Sequence, residues 1–149
     1  RVDALVRNAR ESGARIVTGG KSLVDELGGS FYAPTLIEGG NPTMDMACFE
    51  IFGPVASIYR ADSEEEILRL ANDTPYGLAA YVYTRDVNRV YRITEGLDYG
   101  MIGVNAPMVG SASTPFGGMK ESGIGREGGK WGVEEFSELK YVLLGGVQA

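Results

Sequence analysis

Three glycines near the end of the chain have the spacing of a dinucleotide-binding fingerprint. Gly123, Gly125 and Gly128 occupy the glycine positions of G-x-G-x-x-G in the stretch GIGREGG, residues 123–129. That fingerprint binds a cofactor only where it follows a strand and opens a helix, with an acidic residue about 20 positions later. Residues 115–122 (PFGGMKES) are not strand-like, and a glutamine stands at the acidic position. We therefore interpret these glycines as a tight, closely packed turn, for which glycine is the usual residue.

The single cysteine and the absence of histidine restrict the covalent chemistry that the chain can perform. Ser-His and Cys-His nucleophile pairs are excluded within the chain, and so is a histidine-ligated or multi-thiolate zinc site. We expect Cys48 to be a small buried or half-buried apolar residue rather than a nucleophile. The sequence thus predicts neither of these nucleophile pairs and no zinc site of these kinds in this chain.

Charge and composition argue against several classes of partner. The net charge of −6 and the pI near 4.7 would repel nucleic acids and anionic membranes. The sequence has no apolar run of membrane-spanning length and no recognisable signal peptide. One cysteine suits a reducing compartment, so the cytoplasm is the expected location.

The middle of the chain has the alternation typical of an α/β fold. Residues 55–59, 78–83 and 101–104 are strand-like, and helices that begin at caps Ser63 and Asp86 separate them. Strand–helix–strand–helix–strand at these lengths predicts two right-handed crossover units in a parallel sheet.

The first third of the chain is predicted to hold one helix and two strands. The amphipathic pattern begins at Val2 and ends near Gly13, and residues 15–18 form a strand. Residues 31–38 are β-prone, with Pro34 indicating an edge strand or a bulge. Because the first residue is not methionine and the helical pattern starts at once, we expect the chain to be a piece of a longer one.

The last third is predicted to be largely irregular. Residues 105–132 are glycine-rich and show no periodicity, and residues 133–137 could form one helical turn. Residues 139–144 (LKYVLL) are expected to form a final strand, followed by a tail at 147–149. An apolar strand at a sheet edge invites pairing with another chain.

Five blocks stand in a recognisable order and spacing along the chain: GGSFYAPTL at 28–36, FEIFGPV at 49–55, ANDTPYGLAAYVYTRD at 71–86, GMIGVN at 100–105 and PFGGMKESGIGREGG at 115–129. Together they resemble the C-terminal part of the aldehyde dehydrogenase superfamily, closest to its NAD(P)-dependent succinate-semialdehyde dehydrogenase branch. The resemblance implies that residues 1–138 are the parallel-sheet C-terminal half of the catalytic domain, and that residues 139–149 are a terminal oligomerisation strand and tail.

The resemblance implies a binding site for NAD or NADP at Glu50 and Phe52. The residue that matches Glu50 accepts hydrogen bonds from the nicotinamide ribose hydroxyls, which suits an acceptor-only carboxylate. The residue that matches Phe52 limits the positions of the nicotinamide, which suits a rigid aromatic ring. The family usually has a second acid before Glu50, where this chain has Phe49.

The resemblance also implies an aldehyde substrate, with Gly110, Ser111 and Phe116 lining its site. In the semialdehyde branch a serine often stands at the position of Gly110, whereas the hydroxyls here follow at Ser111, Ser113 and Thr114. Succinate semialdehyde, other ω-semialdehydes and simple aldehydes therefore all stay open as substrates.

Assembly is the last property that the resemblance implies. The family counterparts of Arg126 and Glu138 lie together at a subunit interface, so we expect a homo-oligomer and place these two side chains within ion-pair distance.

The family's catalytic cysteine, general-base glutamate and oxyanion-hole asparagine belong to blocks that are not in this chain. We therefore expect the 149-residue chain alone to be inactive. Two alternatives remain: a non-enzymatic α/β assembly module, and an aldehyde dehydrogenase that passes the acyl group to coenzyme A.

Overall fold

The computed structural model describes residues 1–146, which form two compact units. The first unit is Arg1–Pro75, and the second begins at Tyr76. Residues 147–149, which the sequence predicts to be a tail, lie outside the described residues.

The first unit contains four helices and three strands among the described residues. In chain order they are α1 (Val2–Glu11), β1 (Arg15–Thr18), α2 (Val24–Leu27), β2 (Thr35–Glu38), α3 (Asp45–Cys48), β3 (Val55–Ile58) and α4 (Glu64–Asn72).

Helix α1 supplies much of the first unit's core. Its residues Leu5, Val6 and Ala9 are buried and cluster with Ile37 of β2 and Met44 before α3. The apolar stripe at i, i+3, i+4 and i+7 explains this, because those positions share one face of a helix. The predicted helix is confirmed.

The three strands form one sheet in the order β1-β2-β3. Strand β2 is antiparallel to β1 and parallel to β3. The predicted edge position of the Pro34 segment is wrong, because β2 is the central strand. Pro34 lies just before the ladder begins, so its missing N–H removes no ladder bond. The register shift lies in β1 itself, between Ile16 and Thr18, and not at Pro34.

An exposed ion pair joins the neighbouring strands β1 and β2. Arg15 and Glu38 are cross-strand partners, and the Arg15 guanidinium donates a hydrogen bond to the Glu38 carboxylate. This bond, followed by the charge of Arg15, lowers the pKa of Glu38 below its usual value. Both side chains are largely exposed, so the pair adds little stability.

The N-terminus of α4 forms the predicted cap. The Glu66 N–H donates to Ser63 Oγ at 3.1 Å, as a capping residue requires. The Glu66 carboxylate reaches back to the N–H of Asp62 at 3.0 Å, one residue earlier than in a standard capping box.

The second unit has two short sheets and two helices among its described residues. Its elements are β4 (Tyr76–Gly77), β5 (Ala79–Val82), α5 (Val87–Gly96), β6 (Met101–Val104), β7 (Met119–Lys120) and α6 (Gly129–Glu134).

One of the two predicted crossover units is present. Strands β5 and β6 pair in parallel across helix α5, and Asp86 caps that helix by accepting from the N–H groups of Asn88 and Arg89 at 2.9 and 3.2 Å. The other crossover is wrong, because β3 and β5 belong to different sheets. Local pattern finds each strand, whereas the choice of neighbour depends on tertiary packing.

The glycine-rich segment has more structure than its sequence indicates. Strand β7 pairs antiparallel with β4. Helix α6 begins four residues before the helical turn predicted at 133–137 and overlaps it only at residues 133–134. Gly123, Gly125 and Gly128 have φ of +126°, +84° and +80°. A Cβ on Gly128 would lie 2.5 Å from the Thr114 carbonyl oxygen. The interpretation as a tight, closely packed turn is confirmed at Gly125 and Gly128, whereas a Cβ on Gly123 would meet no atom within 4 Å.

The predicted strand at residues 139–144 is not formed in the single chain. Within residues 1–146 this segment pairs with no strand, and a strand needs a neighbour for its hydrogen bonds. Its apolar side chains face solvent, with Leu139 fully exposed and Leu143 and Leu144 about four-fifths exposed (105%, 78% and 79%). Two single-turn helices, α2 at residues 24–27 and α3 at residues 45–48, are present in addition to the one helix and two strands that the sequence predicts for the first third.

Across the part of the chain that the structure describes, no helix has the length and apolar character needed to cross a membrane.

The exposed apolar segment 139–144 leads to a test on the 149-residue chain. We expect the chain to bind a fluorescent hydrophobic dye, because contiguous exposed apolar side chains offer it a surface. Replacing Leu139 and Leu143 by Lys should reduce the dye signal. Leu27→Lys, at an exposed position in α2, serves as the matched control and should leave most of it. Equal dye signals from all three proteins would contradict this role of the segment.

Candidate cofactor and substrate sites

Residues 49–54 present two predicted site residues on the surface of the first unit. The segment leaves α3 in extended conformation at Phe49, and the side chain of Ile51 packs against the core cluster. Its neighbours Glu50 and Phe52 are exposed. Ile51 is thus anchored to the core, and the side chains on either side of it, Glu50 and Phe52, are exposed.

Contacts on both sides of Phe52 hold this segment in place. The Thr35 N–H donates to the Pro54 carbonyl at 2.8 Å, and the Val55 N–H donates to the Gly53 carbonyl at 2.8 Å. A Cβ on Gly53 would lie 2.7 Å from a methyl group of Val2, so α1 fits closely against the backbone here. The guanidinium of Arg1 hydrogen-bonds to the carbonyl of Glu50. The backbone between these contacts has little freedom.

Phe52 has an unusual backbone conformation. Its φ is +47°, a region that aromatic residues rarely adopt, and its side chain is 82% exposed. Strain of this kind, of order 1–3 kcal/mol, persists where surrounding structure imposes it and is concentrated at functional sites. An exposed, rigidly held ring beside an exposed carboxylate can stack on a flat heterocycle and accept hydroxyl hydrogen bonds.

Cys48 differs from its predicted environment. It is the last residue of α3 and is exposed, not buried or half-buried. The reason is that the single turn of α3 buries Met46, which leaves Cys48 on the outward side.

The predicted substrate-lining residues lie together in the second unit. A Cβ on Gly110 would meet the ring of Phe116 at 3.8 Å, so the two residues are close neighbours. Ser111 Oγ lies 3.1 Å from Ser113 Oγ, and Thr114 Oγ1 donates to the Ser111 carbonyl at 3.1 Å. The loop thus displays a cluster of exposed hydroxyls beside a half-buried aromatic ring.

Phe116 lies on a short ladder within the glycine-rich segment. Its N–H donates to the Glu127 carbonyl at 2.7 Å, and the Glu127 N–H returns a bond of 2.8 Å. The ring contributes to an open depression of about 390 Å³ that Ile124, Arg126 and Phe136 also line.

The predicted ion pair between Arg126 and Glu138 is absent within residues 1–146. The Arg126 guanidinium donates instead to the carbonyls of Gly118 and Gly125, each at 2.8 Å. Glu138 is exposed beyond the end of α6. The glycine carbonyls are nearer in sequence and have no Cβ to keep the guanidinium away.

Each predicted group is thus gathered within one unit. Glu50 and Phe52 belong to the first, whereas Gly110, Ser111 and Phe116 belong to the second. Among residues 1–146, no group of three or more His, Cys, Asp or Glu side chains could hold a metal ion.

The sequence gives no indication of one polar contact in the second unit. The Glu135 carboxylate accepts a hydrogen bond from the Arg126 N–H at 3.1 Å. Glu134 and Glu138 have the same chemistry nearby, so residue type alone does not distinguish Glu135 from them.

The chain is similar to known proteins over nearly its whole length. The sequence model described as the aldehyde dehydrogenase family matches residues 1–142. The chain belongs to this family. It is 47% identical over 147 residues to a 3-sulfolactaldehyde dehydrogenase of Pseudomonas putida, covering 99% of this chain and 30% of that protein. It is 48% identical over 145 residues to a mitochondrial succinate-semialdehyde dehydrogenase of Arabidopsis thaliana, covering 97% of this chain and 27% of that protein.

A solved structure gives the same result for the fold. The crystal structure of a Mycobacterium tuberculosis aldehyde dehydrogenase complexed with NAD+ superposes with a TM-score of 0.90 at 41% identity. The match covers 99% of this chain and 31% of that one. The chain therefore spans about 30% of the length of the aldehyde dehydrogenases that it matches.

The conformation of Phe52 leads to a stability test on this chain. Phe52→Gly should raise the free energy of unfolding by about 0.5–1 kcal/mol, because relief of left-handed strain exceeds the entropy that glycine adds to the unfolded state. Phe49→Gly is the matched control: Phe49 is also exposed, but its φ is −110°, so glycine there should lower stability. Urea unfolding measures both, and loss of stability in both variants would show that Phe52 is not strained.

Proposed function

We propose that the full-length protein containing this chain oxidises an aldehyde to the carboxylate with NAD or NADP. The observation that carries the proposal is the exposed pair Glu50 and Phe52 on a backbone held by contacts at both ends. Membership of the aldehyde dehydrogenase family supports the reaction class, and the NAD+ complex of the related structure supports the cofactor class.

Glu50 and Phe52 are the residues of this chain that would hold the nicotinamide half of the cofactor. The Glu50 carboxylate would accept hydrogen bonds from the ribose hydroxyls, and the Phe52 ring would restrict the positions of the nicotinamide. The residues fit this task because both side chains are free to meet a ligand while the backbone beneath them is fixed. When bound, the cofactor supplies a hydride acceptor.

The reaction in the family passes through a cysteine thioester that water hydrolyses. We assign the nucleophile to a part of the full-length protein outside this chain. Cys48 does not take that role, because it is not followed by the family's nucleophile motif and stands two residues before Glu50. This chain's own contribution is to bind, orient and confine the reactants.

The proposed substrate is succinate semialdehyde or another ω-semialdehyde. Gly110, Ser111 and Phe116 would line its site, with the ring bounding the apolar carbons. The hydroxyls of Ser111, Ser113 and Thr114 could hydrogen-bond the polar group at the far end of the substrate. Relatives named for succinate semialdehyde and 3-sulfolactaldehyde, both with an anionic end, support this class of substrate.

We also propose a homo-oligomer in the cytoplasm. The exposed apolar side chains of residues 139–144 would pair with a strand of a neighbouring subunit, and Arg126 and Glu138 would lie at that interface. The exposed free thiol of Cys48 suits a reducing compartment.

The cofactor role of Glu50 can be tested in the full-length protein. Glu50→Gln should lower NAD(P)+ affinity or the rate of hydride transfer about tenfold to hundredfold, because a hydrogen bond to a charged group contributes about 1.5–3 kcal/mol. The measurements are cofactor binding by fluorescence and pre-steady-state NAD(P)H formation.

Glu11→Gln is the matched control for Glu50→Gln. Glu11 ends α1 and is exposed, so the variant makes the same change of charge away from residues 49–54. Its kinetics should equal those of the wild type. Unchanged cofactor binding and unchanged kinetics in Glu50→Gln would remove the main support for the proposed function.

The proposed assignment of the nucleophile leads to a second test. In the full-length protein, Cys48→Ser should leave kcat unchanged, because this thiol forms no bond with the substrate. The 149-residue chain alone should show neither dehydrogenase activity nor measurable NAD(P)+ affinity, since effective concentration is lost when one reacting group is missing. Activity of the chain alone that Cys48→Ser abolishes would overturn both statements.

A further inference from the structure

Glu135 connects helix α6 to the loop that carries Phe116. It follows the last residue of α6, and its Oε1 accepts a hydrogen bond from the Arg126 N–H at 3.1 Å. The adjacent Gly125 has φ of +84°, and a Cβ there would lie 2.8–2.9 Å from the Glu135 carboxylate. The carboxylate thus lies directly against the backbone of residues 125–126.

The contacts continue from residues 125–126 toward residues 116–118. Arg126 Nη1 donates to the carbonyls of Gly118 and Gly125 at 2.8 Å each, so one guanidinium joins the two segments. A Cβ on Gly117 would lie 2.5 Å from the Gly125 carbonyl oxygen, which shows how closely the backbones approach. The two hydrogen bonds between Phe116 and Glu127 complete the ladder.

The position of Phe116 therefore depends on a series of short contacts that ends at Glu135. Phe116 is tied to Glu127, the preceding Arg126 is tied to Gly118, and the Arg126 N–H is tied to Glu135. Both Phe116 and Glu135 line the same depression of about 390 Å³. The Glu135 carboxylate thus holds part of the same lining of the depression to which Phe116 belongs.

We propose that Glu135 is a positioning residue for Phe116, which it places to confine the aldehyde. The inference rests on the proposed function, in which Phe116 lines the aldehyde site. Glu135 touches neither substrate nor cofactor in this role. It fixes residues 125–127, and those residues hold the backbone on which the ring is mounted.

The experiment compares three variants of the full-length protein with steady-state kinetics on the semialdehyde. Glu135→Ala should raise the aldehyde KM about tenfold, the scale of a lost hydrogen bond to a charged acceptor, while the KM for NAD(P)+ changes less than about twofold. Glu135→Gln keeps an acceptor oxygen and should raise the aldehyde KM about threefold or less. Glu134→Ala removes a neighbouring exposed carboxylate and should change neither KM.

A double-mutant cycle with Phe116→Ala separates positioning from general destabilisation. Phe116→Ala should itself raise the aldehyde KM, and Glu135→Ala should add almost nothing in that background, because the side chain to be positioned is gone. If Glu135→Ala is recovered only as aggregate, Glu135→Gln replaces it in the double-mutant cycle with Phe116→Ala.

Four results would overturn the inference, and they differ in what they say of the proposed function. If Glu135→Ala raises the aldehyde KM equally with and without Phe116, positioning is refuted and the proposed function is left intact. The same holds if Glu135→Ala raises the KM for NAD(P)+ as much as it raises the aldehyde KM. An unchanged aldehyde KM in Phe116→Ala refutes the lining role, and positioning with it. Absence of NAD(P)-dependent aldehyde oxidation by the wild type refutes the proposed function itself.

Discussion

The hydrogen bond from the Thr35 N–H to the Pro54 carbonyl is the interaction on which the candidate cofactor site depends. It lies where β2 begins to pair in parallel with β3, and so it fixes the end of the segment that carries Glu50 and Phe52. The same strand β2 contributes Ile37, which is fully buried against α1. Strand β2 therefore links the core around α1 to the segment that carries Glu50 and Phe52.

Features with local causes could be predicted from the sequence. Ser63 and Asp86 cap helices because their side-chain oxygens bond to N–H groups two or three residues away. The apolar stripe of α1 likewise depends only on helical periodicity. Features that depend on distant partners could not be predicted: the central position of β2 requires both β1 and β3, and the neighbour of β3 is not encoded near residues 55–58. Residues 139–144 show the same limit, because a strand does not form without a partner.

The candidate site also combines features that the sequence indicates with features that depend on distant partners. The family resemblance implies roles for Glu50, Phe52 and Phe116, but it does not indicate how their backbone is held. The left-handed conformation of Phe52 and the contact of Glu135 with Arg126 arise from packing between segments, and no spacing in the sequence signals either one. The ion pair expected between Arg126 and Glu138 is absent within residues 1–146 for a related reason: the guanidinium donates to a carbonyl of its own turn, Gly125, and to one of the neighbouring segment, Gly118.

The conformation of Phe52 also helps to separate an enzyme from a module that serves only in assembly. Among residues 1–146, eleven glycines have positive φ, and only three other residues do: Phe52, Asn105 and Lys120. Asn105 has a local reason, because its side-chain amide exchanges two hydrogen bonds with the backbone of Thr84, at 2.8 and 3.0 Å.

Lys120 also has a partner, since its ammonium lies 3.9 Å from the Asp98 carboxylate. The Phe52 ring, by contrast, projects from the surface of its unit, so the first unit's own packing does not account for an aromatic residue there. Glycine would satisfy the same backbone without strain, as it does elsewhere in this chain. The proposed function accounts for a ring at this position, because it assigns to Phe52 a contact outside the unit, with a flat ligand beside the Glu50 carboxylate.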